Sequence, residues 1–370
     1  MSVPQLQPIP LNVRYIRSPD QIPGLSKTTA ESLNKVVQKY AFRATDYYLD
    51  LIDWNDPADP IRRLIVPDPA ELRDWGRLDA SDEAANTVAR GVQHKYRDTA
   101  LVLTAATCAA YCRYCFRKRL FMRQNEEIAR DLNPAFLYVE QHPEITDVLL
   151  TGGDPLILNT ARLQPIVERF AAMPHVRTIR IGSKIPAFNP QRIIEDERLL
   201  NMVQQVTSRG TALYLMAHFD HPRELTDLAR EGIKAMQDAG AHVLNQCPMV
   251  RGVNDDADVL TELFQTMTEL GAAQYYLFQC RPTAGNAPFE VPLVEAWQTF
   301  DRARRQCSGL ARQVRYAMSH TSGKIEVLGI DRDEIWMRYH RAKDPVNESR
   351  VMRARRDDAA LWFDDLELVP

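Results

Sequence analysis

Beyond residue 100 the chain alternates between two hydrophobic periods. Nearly continuous apolar runs, rich in branched and aromatic residues, stand at 100–105 (ALVLTA), 146–152 (TDVLLTG), 176–182 (VRTIRIG), 211–219 (TALYLMAHF), 241–246 (AHVLNQ) and 274–279 (QYYLFQ). Runs of this length and composition predict strands buried on both faces. The alternating bulk of QYYLFQ reads as strand lining rather than as a cofactor motif. Between the runs, at 131–143, 159–173, 196–210, 222–240 and 256–271, apolar residues recur at helical spacing, and several of these segments close on Gly or Pro. Six strands alternating with helices predict an α/β fold with a parallel sheet and right-handed crossovers, a partial or complete parallel (βα) barrel. In such folds the chemistry sits at the C-terminal ends of the strands.

Three segments follow from this pattern. Residues 1–94 form a Pro-rich, helical N-terminal extension, and 95–330 the βα core with a terminal segment that carries Lys324. Residues 331–370 are a charged tail with scattered aromatics and no evident chemistry, suited to covering the barrel or to a subunit contact. At 370 residues, 45% apolar and 26% charged, the chain is expected to be globular. No apolar run reaches the roughly 18 residues that span a bilayer, and the N-terminus lacks a basic-then-apolar secretion pattern. A soluble cytoplasmic protein is expected. A formal net charge of −3 gives no electrostatic ground for nucleic acid or a membrane as partner, which favours a small-molecule substrate.

Six cysteines are too few to staple a chain of this size, and three of them cluster. Cys108, Cys112 and Cys115 follow the first strand in C-x3-C-x2-C spacing. Three thiolates can hold three corners of a [4Fe–4S] cube and leave one iron open. A structural zinc site would need a fourth ligand nearby, and the loop has none; a three-ligand catalytic zinc and a chance cluster are the alternatives. Cys247, Cys280 and Cys307 have no ligand spacing and read as buried thiols.

A C-x3-C-x2-C loop after the first strand of a βα array resembles the signature of the radical S-adenosylmethionine (SAM) superfamily. The GGDP at the end of the second strand, with Gly152, Gly153 and Asp154, resembles the turn that approaches the SAM methionine in that superfamily. Further segments at 56–67, 94–119, 149–156, 179–193, 217–226, 244–255 and 274–280 are similar, in order, to the lysine 2,3-aminomutase family. That resemblance implies a radical SAM barrel, a reusable SAM with a cellular one-electron reductant, pyridoxal 5′-phosphate (PLP), and transfer of an amino group between the α and β carbons of an amino acid. It also implies self-association, since family members are often homo-oligomers.

Residue by residue, the resemblance assigns Arg117 to the substrate carboxylate, Asp255 to the distal ammonium of a lysine substrate, and Lys324 to PLP. Lys95 matches one of two basic residues that bind the PLP phosphate, while Thr99 stands where the other is expected. No counterpart of the family's second substrate aspartate is found near Met318 and Ser319, so lysine as substrate is in question. Lys184 and His218 match positions near the SAM site. Arg113, Lys118 and Arg119 read as surface charges. The family's C-terminal cysteine cluster for zinc has no counterpart after Cys307. Cys247 stands where relatives carry serine, which raises the idea of a hydrogen-donating thiol. The alternative reading of the whole chain is a PLP-independent radical SAM epimerase or dehydratase on the same scaffold; a non-catalytic iron–sulfur or zinc protein is a third.

Overall fold

The computed structural model describes residues 13–122, 127–129 and 131–370; the first twelve residues of the expected N-terminal extension lie outside that range. A short antiparallel pair, β1 (Tyr15–Ile16) and β2 (Ala44–Thr45), opens the chain. Thirteen further strands form one sheet in strict chain order: β3 (Thr87–Ala89), β4 (Val92–Tyr96), β5 (Thr99–Ala105), β6 (Asp147–Gly152), β7 (Thr178–Ser183), β8 (Ala212–Ala217), β9 (His242–Pro248), β10 (Gln274–Phe278), β11 (Arg315–His320), β12 (Gly323–Ile330), β13 (Glu334–Ala342), β14 (Val351–Arg355) and β15 (Leu368–Val369). Strands β5 to β11 pair in parallel. Antiparallel strands extend both ends.

The six apolar runs of the sequence are β5 to β10. Val102, Val148, Leu150, Ile179, Ile181, Leu213 and Leu215 are fully buried, as expected of strands covered on both faces. The crossover helices Asn133–Gln141, Thr160–Ala171, Glu197–Ser208, Asp227–Asp238 and Ala257–Glu269 lie where the helical periods predict them. Their starts are fixed locally. Asp196 accepts from the backbone N–H groups of Arg198 and Leu199, and Thr226 caps Ala229; Leu199, Met202, Val203 and Val206 then turn one stripe of their helix to the sheet.

Among the described residues no backbone ladder joins the two edges of this sheet, so the barrel is partial. Side chains bridge the gap. Lys95 on β4 donates to the carbonyl of His320 at the end of β11. Arg341 on β13 reaches the β4–β5 turn, donating to Asp98 and, at 3.3 Å, to Thr99 Oγ1. The sheet therefore runs through the expected boundary at 330, and the 331–370 segment is its antiparallel edge rather than a loose cover. Strands β11 to β15 were not anticipated, and neither were β3 and β4 at the end of the extension.

The extension backs the cysteine loop. Arg113 donates its N–H to Leu64 O at 2.9 Å, Nη1 to Ala41 O at 2.9 Å, and Nε and Nη2 to Glu71 at 2.9 and 2.7 Å. Lys118 Nζ donates to Arg113 O at 2.7 Å and Gly285 O at 3.2 Å. Arg119 pairs with Glu83 and Glu127. These three residues are buried, which corrects the expectation of surface charges: their donors are needed to satisfy carbonyls and carboxylates inside the loop's packing.

Candidate active site

The three cysteines lie on the exit of β5, each partly exposed. Cys115 N–H donates to Cys112 O at 3.2 Å, which folds the loop back on itself. Burial raises all three thiols above their ordinary range, Cys112 to about 12. For Cys108 the next contributions are the Asp154 carboxylate and the two other thiols. Neutral thiols crowded together are what a soft, electron-accepting metal centre would convert to thiolates. Among the described residues no three His, Cys, Asp or Glu side chains converge on one point as a single ion requires. A cube takes each thiolate on a separate iron, so this donor set fits a cluster.

The glycines of GGDP are required by the loop. Gly153 N–H donates to Ala105 O at 2.7 Å and Asp154 N–H to Thr107 O at 2.9 Å. A Cβ on Gly153 would stand 2.2 Å from Thr107 O, and Gly152 adopts φ +115° with Ala105 O 2.8 Å from its would-be Cβ. Asp154 turns inward and accepts from Ser183 Oγ at 2.7 Å and from the N–H groups of Lys184 and Leu156. Its carboxylate locks β6 to β7 and is not presented to a ligand.

Beside the cysteines lies a buried polar knot. Lys184 Nζ pairs with Asp220 and, at 2.7 Å, with Glu224. Burial alone would lower this amine, but the two carboxylates raise it. The amine is committed to the knot. His218 Nε2 lies 3.1 Å from both Asp220 Oδ1 and Tyr114 Oη, and its side chain is 28% exposed. Of this group His218 is the member that reaches open space. Cys247 is buried, with its Sγ 3.3 Å from Gln274 Nε2.

At the opposite end of β5 the site changes character. Lys324 on β12 stands over the Tyr276 ring at 4.2 Å and the Phe278 ring at 5.4 Å. Among the described residues its Nζ has no carbonyl or carboxylate partner. Burial, then Arg180, Arg341, Arg281 and Lys95, push its pKa well below the ordinary lysine range. Lys95 is lowered to about 8 by burial and by Arg281 and Lys343. Arg281, after β10, stacks 3.6 Å over the Phe116 ring and leaves Nη1 buried without an acceptor. Arg180 and Arg341 have carboxylate partners, Asp147 and Asp98; among the described residues no carboxylate forms an ion pair with Lys95, Arg281 or Lys324. An enclosed surplus of cations, an orphaned guanidinium donor and a neutral-leaning amine fit a phosphorylated aldehyde such as PLP.

The other expected residues are engaged elsewhere. Arg117 grips Glu83 through Nε at 3.0 Å and Nη2 at 2.7 Å, and donates Nη1 to Thr151 Oγ1 at 2.9 Å. Burial would raise Glu83, but Arg117 and Arg119 hold it at about 2. Asp255 accepts from Gly252 N–H at 2.7 Å and Arg251 Nη1 at 3.1 Å, so its carboxylate closes a turn after β9.

A family model described as a 4Fe-4S single cluster domain matches residues 96–208, which include the cysteine loop and the GGDP turn. A putative L-lysine 2,3-aminomutase of Aquifex aeolicus (strain VF5) is 47% identical over 354 residues, 95% of each chain. The chain belongs to the lysine 2,3-aminomutase family. Other members include the L-lysine 2,3-aminomutase of Clostridium subterminale, 32% identical across 77% of this chain and 68% of its own. The glutamate 2,3-aminomutase of Clostridioides difficile (strain 630) is 30% identical across 78% and 67%. Membership makes the chain a radical SAM enzyme of the aminomutase class, with a [4Fe–4S] cluster, SAM and PLP as its cofactors. Within that family frame Arg281, Glu83, Tyr276 and Arg341 were missed by sequence reasoning. Arg281 directly follows the matched segment 274–280 and was within reach; Arg341 gave no signal, because it meets Lys324 only through strand pairing.

Proposed function

We propose that this enzyme moves the amino group of a free α-amino acid between its α and β carbons, with Cys108, Cys112 and Cys115 holding the cluster and Lys324 the PLP. The observation that carries the reading is Lys324: an amine without a hydrogen-bond acceptor, flanked by rings, inside a cation cage at one end of the strand whose other end leads to the cysteines. When bound, the cluster with SAM supplies a 5′-deoxyadenosyl radical, and PLP carries the migrating nitrogen. The chain's own residues orient and enclose. Burial and the surrounding cations lower the Lys324 pKa, so more of its amine is neutral and nucleophilic than that of an exposed lysine at the same pH. Arg281, with its unpaired Nη1, takes the substrate carboxylate, while Arg117 remains on Glu83 beside it. His218, on the open side of the knot, faces SAM, and the glycine edge of GGDP gives close backbone access to it.

The engagement of Asp255 by Gly252 and Arg251 speaks against a substrate that needs this carboxylate for a distal ammonium. We therefore propose an amino acid other than lysine. The test is anaerobic turnover by reconstituted enzyme with SAM, a low-potential reductant, PLP and an amino-acid panel, with products resolved by mass spectrometry and NMR. A β-amino acid product with SAM recovered is expected. Equal turnover without PLP and by Lys324→Ala would replace this reading with a PLP-independent one.

A further inference from the structure

Arg341 has no role in the function argued so far, yet it stands at the centre of the cage. On the β12–β13 pair it lies directly across from Lys324, so the two side chains share one face. Its guanidinium lies 4.2 Å over the Tyr96 ring and crosses the gap between the sheet edges. There Nη1 donates to Thr99 Oγ1 at 3.3 Å and Nη2 to Asp98. Its side chain is 27% exposed, while that of Asp98 is 57% exposed. The pair is thus half in water, and the guanidinium keeps donor capacity on its inner side. Lys95 enters from β4; it too lies over Tyr96, at 5.5 Å, and among the described residues donates to the His320 carbonyl alone.

Two cations from opposite sides of the gap therefore lie over one ring, next to Lys324, and the carboxylate paired with Arg341, Asp98, is more than half exposed. Thr99 can offer a hydroxyl there but no charge. A dianionic phosphate ester is the ligand group that such a gap would stabilise, because a guanidinium and an ammonium together supply several charged donors to its oxygens.

We propose that Arg341, together with Lys95, holds the phosphate of PLP, supplying from β13 the positive charge that position 99 lacks. The inference rests on PLP binding at Lys324.

The test separates the phosphate from the rest of the cofactor. Anaerobically reconstituted full-length enzyme is titrated with PLP and with pyridoxal, which has no phosphate, and binding is followed by the near-violet absorption of the lysine-bound aldehyde. Arg341→Gln is expected to weaken PLP binding roughly 10- to 100-fold and to leave pyridoxal binding within about twofold; Arg341→Lys falls between, and adding Thr99→Arg to Arg341→Gln restores part of the loss. On the wild type, inorganic phosphate should compete with PLP and not with pyridoxal, a measurement that needs no variant to fold. Equal effects of Arg341→Gln on both ligands, or no effect on PLP, would overturn the assignment while leaving Lys324 as the PLP site. Absence of a near-violet band in wild type that Lys324→Ala abolishes would overturn the proposed function and this inference with it.

Discussion

The two ends of strand β5 are built on opposite principles. At its exit, Cys108, Cys112 and Cys115 lie within eight consecutive positions, and the neighbouring turn at Gly152 and Gly153 fits against the same loop. Toward its entry, Arg341 and Lys95 begin a cage that also draws Arg180, Lys324 and Arg281 from separate elements, with Arg281 reaching back to stack on Phe116 beside the cysteines. The first site is a property of one loop, the second of the whole sheet. The lesson is that a local ligand set tolerates distant change and fails to local change, whereas an assembled set depends on how the edges meet.

Gly153→Ala attacks the local site most directly, since its Cβ would stand 2.2 Å from the Thr107 carbonyl and backbone must move. Iron per chain after anaerobic reconstitution should fall from four to near zero and turnover below detection, while PLP binding at Lys324 persists. Lys324→Ala gives the mirror image: full iron, no near-violet band and no turnover. If either variant removed both cofactors, the independence of the two ends would be refuted.

A third test reaches the cysteine loop from behind. The Arg113–Glu71 pair is fully buried and bidentate, so Arg113→Ala leaves the buried Glu71 carboxylate with only the Lys118 ammonium at 3.8 Å and the Asp68 N–H. It should destabilise the fold by roughly 3–5 kcal/mol in denaturant unfolding. The cage responds to pH instead. Because the Lys324 amine has a lowered pKa, it is neutral at pH values where an exposed lysine is protonated; that reactivity is present above the lowered pKa and is lost as pH falls through it. Borohydride trapping of pyridoxal, read by peptide mass spectrometry, should label Lys324 in preference to Lys234, a surface lysine in an i,i+4 ion pair, at neutral pH, and the preference should shrink toward pH 10. The smallest effect is expected at Asp255. Asp255→Asn should change KM by less than about twofold and stability by about 1 kcal/mol, the scale of one turn hydrogen bond. A large rise in KM for lysine would reinstate it as a substrate carboxylate.

The same contrast explains what could be read from the sequence. Strands β5 to β10 are buried on both faces, so each appears as an unbroken apolar run, and the cysteine spacing lies within a single loop. Strand β13 alternates instead: Ile335, Met337 and Tyr339 turn inward, while Trp336, Arg338 and His340 are more exposed. Its period of two was present, but the charges around it made the segment resemble a solvated tail. Arg113, Lys118 and Arg119 misled in the same way, because charge alone does not reveal that Glu71, Glu83 and main-chain carbonyls wait behind the loop. Matching residues also did not reveal their occupants. Arg117 and Asp255 are both already engaged, Arg117 with Glu83 from the N-terminal extension and Asp255 with Arg251 and Gly252 of its own turn.

One consequence follows from the seam between β4 and the β11–β13 hairpins, which among the described residues is bridged by Lys95 and Arg341 and by no backbone ladder. Both tethers are positively charged and lean on the same ring, and the one carboxylate paired with either, Asp98 on Arg341, is more than half exposed, so their mutual repulsion is only partly offset. A counter-ion settling there acts as a clasp, drawing the two margins of the sheet together, and a protein loaded in this way should melt at a higher temperature than the bare chain.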